Sequence, residues 1–596
     1  MKIFLKSFFA SLLALACFTG LALAALLLLA ASMGSQKPVV PDKAVLILDL
    51  SAPIPDGPRE SDPSDAFRQA LTGKESESLP LRTLILTLDR AAKDARISGL
   101  YITGNLFPAG YASGPAALKE LREALQRFRK ESGKPVVAYN QGWSKKEYYL
   151  CAGLGNLVVN PFGGVEVTGI SSEPMFFGEA FKKYGVEVQV TRVGKYKSAV
   201  EPFITDRMSE ASREQSQKLL DDLWAEWKGT VAADRKLKPE ELQRIADERA
   251  ILLSEEAKAS GLVDRIAAHD EVLNDLKKMA GKTEKDREFP QIDIATYAQI
   301  PGDAVKGKNR VTVVYAEGDI VDGEGGPGLI GGDKLARELR KLRLDKNVKA
   351  VVLRVNSPGG SAAASELIQR ETVLMKKEKP LVVSMGTVAA SGGYWISAFA
   401  DRIFAEPNTL TGSIGVFGML PNVKKLANDH GITFDQVQTA RLGNVTSMAR
   451  PKTEAELARI QATVDFVYEQ FLAKVAEGRK LKKDGVHEIA QGRVWSGQEA
   501  LKLGLVDEFG GLEAAIRHAA RAAKIENDYR VDPIGAPKKP IEKLLEALGG
   551  GKHRYADARG PWHQLQAGLE RQFAVLRSLN DPLGVYARLP LEFELR

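Results

Sequence analysis

Ser391 lies in VAASGGYW, residues 388–395, between Ala390 and Gly392. Small neighbours leave its hydroxyl uncovered. A β-rich run precedes it and a helical one follows, so backbone amides gather beside it where negative charge is favoured. Such a serine can cap the helix, or it can be a nucleophile whose oxyanion those amides hold. A second glycine-rich exit, RVNSPGGSAAASE (354–366), follows the apolar run 350–355. Its paired glycines, Gly359 and Gly360, free the backbone to turn and aim amides outward, and Ser361 can cap the next helix. On its own this is a strand-to-helix turn. Two such exits in one half of the chain favour the nucleophile.

A nucleophilic serine needs a base. The six histidines (269, 430, 487, 518, 553 and 563) sit in charged helical or tail contexts away from these turns. Walker A, HExxH, CxxC, Gly-x-Ser-x-Gly and Ser-x-x-Lys patterns are absent,. Lysine is the alternative, provided that desolvation or a nearby positive charge keeps it neutral. RVGKYKSAVEPF (192–203) places Lys197 among Tyr196, Ala199, Val200, Pro202 and Phe203, with Lys195 as its competitor.

These pieces belong to an internal repeat with a period of about 245–250 residues, so each copy is a domain rather than a solenoid unit,. KPVVAY (134–139) matches KPLVVS (379–384), and ASGLVDRI (259–266) matches KLGLVDEF (502–509). Short apolar runs alternate with helical patterns in both copies, which predicts an α/β fold with mainly parallel sheets. The expected divisions are a membrane segment over 1–40, a first repeat over 41–285, a linker over 286–309, a second repeat over 310–535 and an extension over 536–596. In the extension, IEKLLEAL (541–548) has the spacing of a short docking helix. The copies have lost complementary parts. An ungapped alignment sets Lys146 against Ser391, and an alignment on the glycine and serine shared by the two later stretches sets Thr446 against Lys197. Copy one therefore keeps the lysine, and copy two keeps the serine.

With 596 residues, 44% hydrophobic and 27% charged, the chain has ordinary globular composition,. Its net charge of +7 comes from lysines and arginines interleaved with acids, as in LKELREALQRFRKE (118–131), a solvated helix face rather than a nucleic-acid footprint,. The two cysteines, Cys17 and Cys151, lie too far apart in context for an internal disulfide to be expected,. After MKIFLKS, the uncharged run 8–33 would span about 39 Å as a helix, enough for a bilayer core,. Lys2 and Lys6 precede it, which predicts a cytoplasmic N-terminus with the body on the far side of the membrane.

Taken together, GKYKSAVEPF, RVNSPGGS, ASGGYWIS and TGSIGV resemble the signal peptide peptidase A family in its long, tandem-repeat form, over nearly the whole chain. The resemblance implies two tandem ClpP/crotonase-like repeats behind a single transmembrane helix. It implies a Ser–Lys serine endopeptidase that degrades signal peptides left in the membrane. By motif, Ser391 is the nucleophile, Lys197 the general base, and Ser413 the residue that orients the lysine. The oxyanion amides map to Gly359 or Gly360 and to Gly392. No metal, cofactor or nucleic acid is implied. A homotetramer is implied, and in a Gram-negative cell the inner membrane with the catalytic body in the periplasm. Two other readings are an acyl-CoA hydratase or isomerase of the crotonase type, which membrane export disfavours, and a non-enzymatic membrane scaffold.

Overall fold

The structure, a computed structural model, describes residues 18, 38–58, 78–106, 114–300, 307–533 and 585–589. Copy one contributes β1 (Ala44–Asp49), β2 (Ile97–Thr103), β3 (Val136–Trp143), β4 (Leu157–Glu166), β5 (Glu187–Val193), β6 (Ile251–Leu253) and β7 (Arg265–Ile266). β8 (Gln291–Asp293) falls inside the stretch expected as a linker, where it pairs with β1. Copy two follows with β9 (Asn309–Glu317), β10 (Asp319–Val321), β11 (Leu329–Gly331), β12 (Val348–Ser357), β13 (Gly359–Ser361), β14 (Leu381–Ala390) and β15 (Arg402–Ala405). It continues with β16 (Leu410–Gly412), β17 (Val416–Asn422), β18 (Val494–Ser496), β19 (Glu508–Phe509), β20 (Tyr529–Pro533) and β21 (Val585–Arg588).

The repeat is visible in the strand order. One sheet runs β6-β4-β3-β2-β1-β8 and another β18-β16-β14-β12-β9-β20, with matching strands in matching places. In each, the central pairs are parallel and the β4–β6 and β16–β18 pairs antiparallel. β14, LVVSMGTVAA, is buried along its whole length, as expected for a strand covered by helices on both faces,. The helix Pro115–Ser132 shows how local sequence sets those covers. Proline sits in its first turn, Gly133 closes it at φ 66°, and Leu121, Ala124, Leu125 and Phe128 turn one apolar stripe inward,.

A third sheet, β11-β10-β13-β21-β17-β5, joins the copies. β5 of copy one lies antiparallel to β17 of copy two over seven residue pairs, from Val193–Val416 to Glu187–Asn422. A buried ion cluster forms a second joint. Arg354 of copy two donates to Asp56 at 2.9 Å and to Glu120 at 2.7 Å, both from copy one. All three side chains are almost fully covered.

Among the described residues no helix is long and apolar enough to cross a membrane. The apolar run 8–33, apart from Phe18, and IEKLLEAL lie outside the described residues.

Register also corrects one alignment. Val165 and Thr411 hold equivalent places, each opposite the middle residue of its antiparallel neighbour, Leu252 and Trp495. They pair with Trp143 and Ala389 on the other side. Trp143 therefore corresponds to Ala389, and Lys145, not Lys146, to Ser391. The ungapped comparison slipped because β3 and β14 differ by one residue near the irregularity at Asn140–Gly142.

Candidate active site

β14 delivers Ser391 to the end of the second sheet, and the helix Gly392–Ser397 begins immediately after it. Ser391 has φ 55° and ψ −115°, a conformation that costs a non-glycine residue about 1–3 kcal/mol,. Its N–H donates to the Gly412 carbonyl at 2.8 Å, which fixes the turn. The hydroxyl does not cap the helix. It faces Lys197 instead, with Nζ to Oγ at 2.7 Å.

Lys197 comes from the other copy. The β5–β17 ladder ends at Val193–Val416, and four residues later the chain turns Lys197 inward. The turn is held by the Lys197 N–H to the Gly194 carbonyl at 3.1 Å and by the Tyr196 N–H to the Gln491 carbonyl at 3.0 Å. Gln215, from the helix Glu210–Arg235, donates to the Tyr196 carbonyl at 2.8 Å and to Ser198 Oγ at 3.2 Å. Arg493 stacks over the Tyr196 ring at 4.7 Å and donates to its hydroxyl at 2.9 Å. The competitor Lys195 is exposed, its ammonium over the Tyr196 ring. Thr446 lies exposed in the loop before the helix Glu454–Arg479.

Lys197, Ser391 and Ser413 are all 0% exposed. Lys197 Nζ also reaches Ser413 Oγ at 2.9 Å and the Ser413 carbonyl at 3.0 Å. Burial pushes the amine well below the ordinary lysine range, and the Arg588 charge adds to the effect,. The amine thus gives up its proton far more readily than an ordinary lysine, which suits it to take one from the serine,.

The SPGG turn brings Gly359 and Gly360 to the same place. Gly359 has φ 98°, and a side chain on it would run into the Ala587 carbonyl and reach within 2.6 Å of the Gly392 nitrogen. Gly359 and Gly392 therefore face each other across a narrow slot. Ser361 caps the helix Ala362–Glu378, accepting from the Ala364 N–H at 3.1 Å.

Three features had no local signal in the sequence. Gly492 packs directly on the Lys197 backbone, Gln215 braces its turn, and β21 lies between β13 and β17. Only the pairing of remote segments reveals them.

The family model described as Peptidase family S49 matches residues 128–283 and 374–526, one stretch in each copy. A Protease 4 from Salmonella typhi is 37% identical over 520 residues, covering 85% of this chain and 83% of that protein. A Protease 4 from Haemophilus influenzae is 34% identical over 576 residues, covering 93% and 92%. A chloroplastic serine protease SPPA from Arabidopsis thaliana is 32% identical over 490 residues, covering 80% and 71%. Among solved structures, a ClpP1 mutant from Listeria monocytogenes aligns with 34% of this chain and 94% of that one, at 18% identity and a TM-score of 0.23, too slight a likeness to bear on the fold.

Proposed function

We propose, from the premise that the chain belongs to peptidase family S49 and is a serine protease, that it uses a Ser391–Lys197 dyad to degrade signal peptides left in a membrane after their release. The observation that carries this reading is the 2.7 Å contact between Lys197 Nζ and Ser391 Oγ, wholly buried and built from both copies.

The steps follow from the geometry. Neutral Lys197 takes the Ser391 proton as the oxygen attacks a peptide carbonyl. The amides of Gly392 and of Gly359 or Gly360 receive the oxyanion; one such donor is typically worth about 10²–10³ in rate. Protonated Lys197 then gives its proton to the leaving amine, and a water deacylates the serine by the same route in reverse. Ser413 keeps the amine aimed at Ser391 with its hydroxyl and its carbonyl. The remaining parts of the proposal rest on sequence and family: ClpP/crotonase-like repeats, an anchor formed by the run 8–33, a catalytic body in the periplasm of a Gram-negative cell, and a homotetramer. An anchored site would act where apolar signal peptides accumulate.

The test is cleavage of a synthetic signal peptide by the detergent-solubilised full chain. Ser391→Ala and Lys197→Ala should each reduce turnover to background with unchanged circular dichroism. Wild-type turnover in either variant would sink the dyad.

A further inference from the structure

β14 carries an excess of two residues over its neighbour β12, and the excess falls just before the nucleophile. Along the two strands the pairs run regularly from Val351–Leu381 to Val355–Met385, and the next pair is Ser357–Ala389. One residue of β12, Asn356, therefore faces three of β14: Gly386, Thr387 and Val388. Toward β9 the same stretch of β12 stays in step, so the excess belongs to β14. It lies where β14 leaves β15, its neighbour up to Ser384, for β16, its neighbour from Val388. Register gives the bulge its meaning. Carried on from Val355–Met385, the ladder would set Ser391 opposite Ser361, past the SPGG turn. Carried on from Ser357–Ala389, it sets Ser391 opposite Gly359, whose side chain, had it one, would come within 2.6 Å of the Gly392 nitrogen.

A bulge takes ladder partners away from a strand, and buried main-chain groups must then be satisfied by other means. Here side chains supply them. The Val388 N–H donates to Asn356 Oδ1 at 3.1 Å. The Thr409 hydroxyl donates to the Gly386 carbonyl at 2.9 Å, and Arg354 donates to the Met385 carbonyl at 3.3 Å. Asn356 and Thr409 are both buried. Asn356 can lie against the bulge because Gly386 has no side chain: a β-carbon there would sit 3.0 Å from the Asn356 Cγ. Asn356 Nδ2 is buried with no hydrogen-bond partner among the described residues, so the acceptor oxygen is the half of the amide that is used. Ser391 follows Val388 by only three residues, so whatever holds the bulge also sets where the serine stands.

We propose that Asn356 and Thr409 are positioning residues: together they clamp the bulge of β14, and the clamp holds Ser391 beside the SPGG turn and within reach of Lys197. This rests on the dyad reading above. Both act on the serine through the backbone. Without the Asn356 oxygen the Val388 N–H loses its buried acceptor, and β14 regains ladder partners only by sliding toward the register it had before the bulge. A slip of one full residue moves a strand about 3.3 Å. A shift of about 1 Å at the reacting oxygen is already enough to cost about 100-fold in rate.

The experiment is steady-state turnover of a synthetic apolar signal peptide by the detergent-solubilised full chain, with Tm measured on every variant. Asn356→Leu keeps the bulk of the side chain and removes the acceptor, so kcat should fall about 100-fold. Asn356→Asp keeps an oxygen facing the Val388 N–H and should recover most of that loss. Thr409→Val removes the second hydrogen bond and should lower kcat about tenfold. Thr372→Val is the control. Its hydroxyl is also buried and donates to a carbonyl, that of Gln369 at 2.7 Å, but it sits on the helix Ala362–Glu378, outside the bulge. It should lower Tm as Thr409→Val does and leave kcat unchanged. If Asn356→Leu does not fold, the two threonine variants decide. Wild-type kcat in a folded Asn356→Leu, an Asn356→Asp variant as slow as Asn356→Leu, or equal kcat in Thr409→Val and Thr372→Val would overturn the clamp. Ser391→Ala separates the two readings. Background turnover in Ser391→Ala with an unaffected Asn356→Leu leaves the dyad standing and removes the clamp. Wild-type turnover in Ser391→Ala removes both.

Discussion

Replacing Gly492 with alanine tests whether catalysis depends on where the Lys197 backbone sits. Gly492 has φ +81°, and a β-carbon there would lie 2.7 Å from both the backbone nitrogen and the β-carbon of Lys197. Carbon atoms rest comfortably at about 3.5 Å, so the turn carrying Lys197 must retreat by about 0.8 Å. Transmitted to Nζ, that stretches its 2.7 Å contact with Ser391 to the edge of hydrogen bonding,. A misplacement of about 1 Å costs about 100-fold in rate. We expect kcat/KM on a fluorogenic apolar peptide to fall about 100-fold, or about 2.7 kcal/mol of barrier. A left-handed alanine also costs stability, about 1–2 kcal/mol. Gly431→Ala separates the two effects: Gly431 has φ +77°, and a β-carbon there would meet nothing within 4 Å. It should lower Tm comparably and leave kcat/KM unchanged. Wild-type kcat/KM in a folded Gly492→Ala variant, or an equal loss in Gly431→Ala, would refute the reasoning.

Further outcomes follow from the same geometry. Lys197 acts only when neutral, so kcat/KM should rise with pH through its depressed titration and then level off; a limb near the ordinary lysine value of about 10.4 would contradict the burial argument,. Ser413→Ala removes one 2.9 Å partner of Nζ, worth about 1 kcal/mol, and should lower kcat about fivefold while KM is unchanged in steady-state kinetics,. Glu120→Ala leaves Arg354 buried with only half its counter-charge and should destabilise the protein by about 3–5 kcal/mol, read as a fall in Tm,.

The two halves of the candidate site were legible in the sequence because each is a local pattern. A serine among small residues after an apolar strand, a paired-glycine turn and a lysine among apolar residues all carry their meaning within a dozen positions. The repeat and its α/β character were legible for the same reason, since periodicity and strand composition are also local. The joints were not. Nothing in EVQVTRV or VFGMLPN states that these strands pair, because edge-to-edge pairing is chosen by the geometry of the whole fold. Nor does VYARL differ from other short apolar segments until it is seen between β13 and β17. Asp56, Glu120 and Arg354 look like surface charges in sequence; only their convergence makes them buried. The choice between Lys145 and Lys146 turned on a single residue of strand irregularity, which an ungapped comparison has no means to detect.

The split of the dyad between copies also affects how the protein is made. Lys197 and Ser391 are 194 positions apart. At ordinary ribosomal rates, roughly 10–40 s separates the synthesis of one from that of the other. The β5–β17 ladder that turns Lys197 inward needs residues up to Asn422, so it closes later still. A nascent chain therefore carries the lysine without the serine for about a third of its synthesis, 194 of 596 residues. With Ser391 and Lys197 as the proposed dyad, translation order itself delays proteolytic capability until both halves exist.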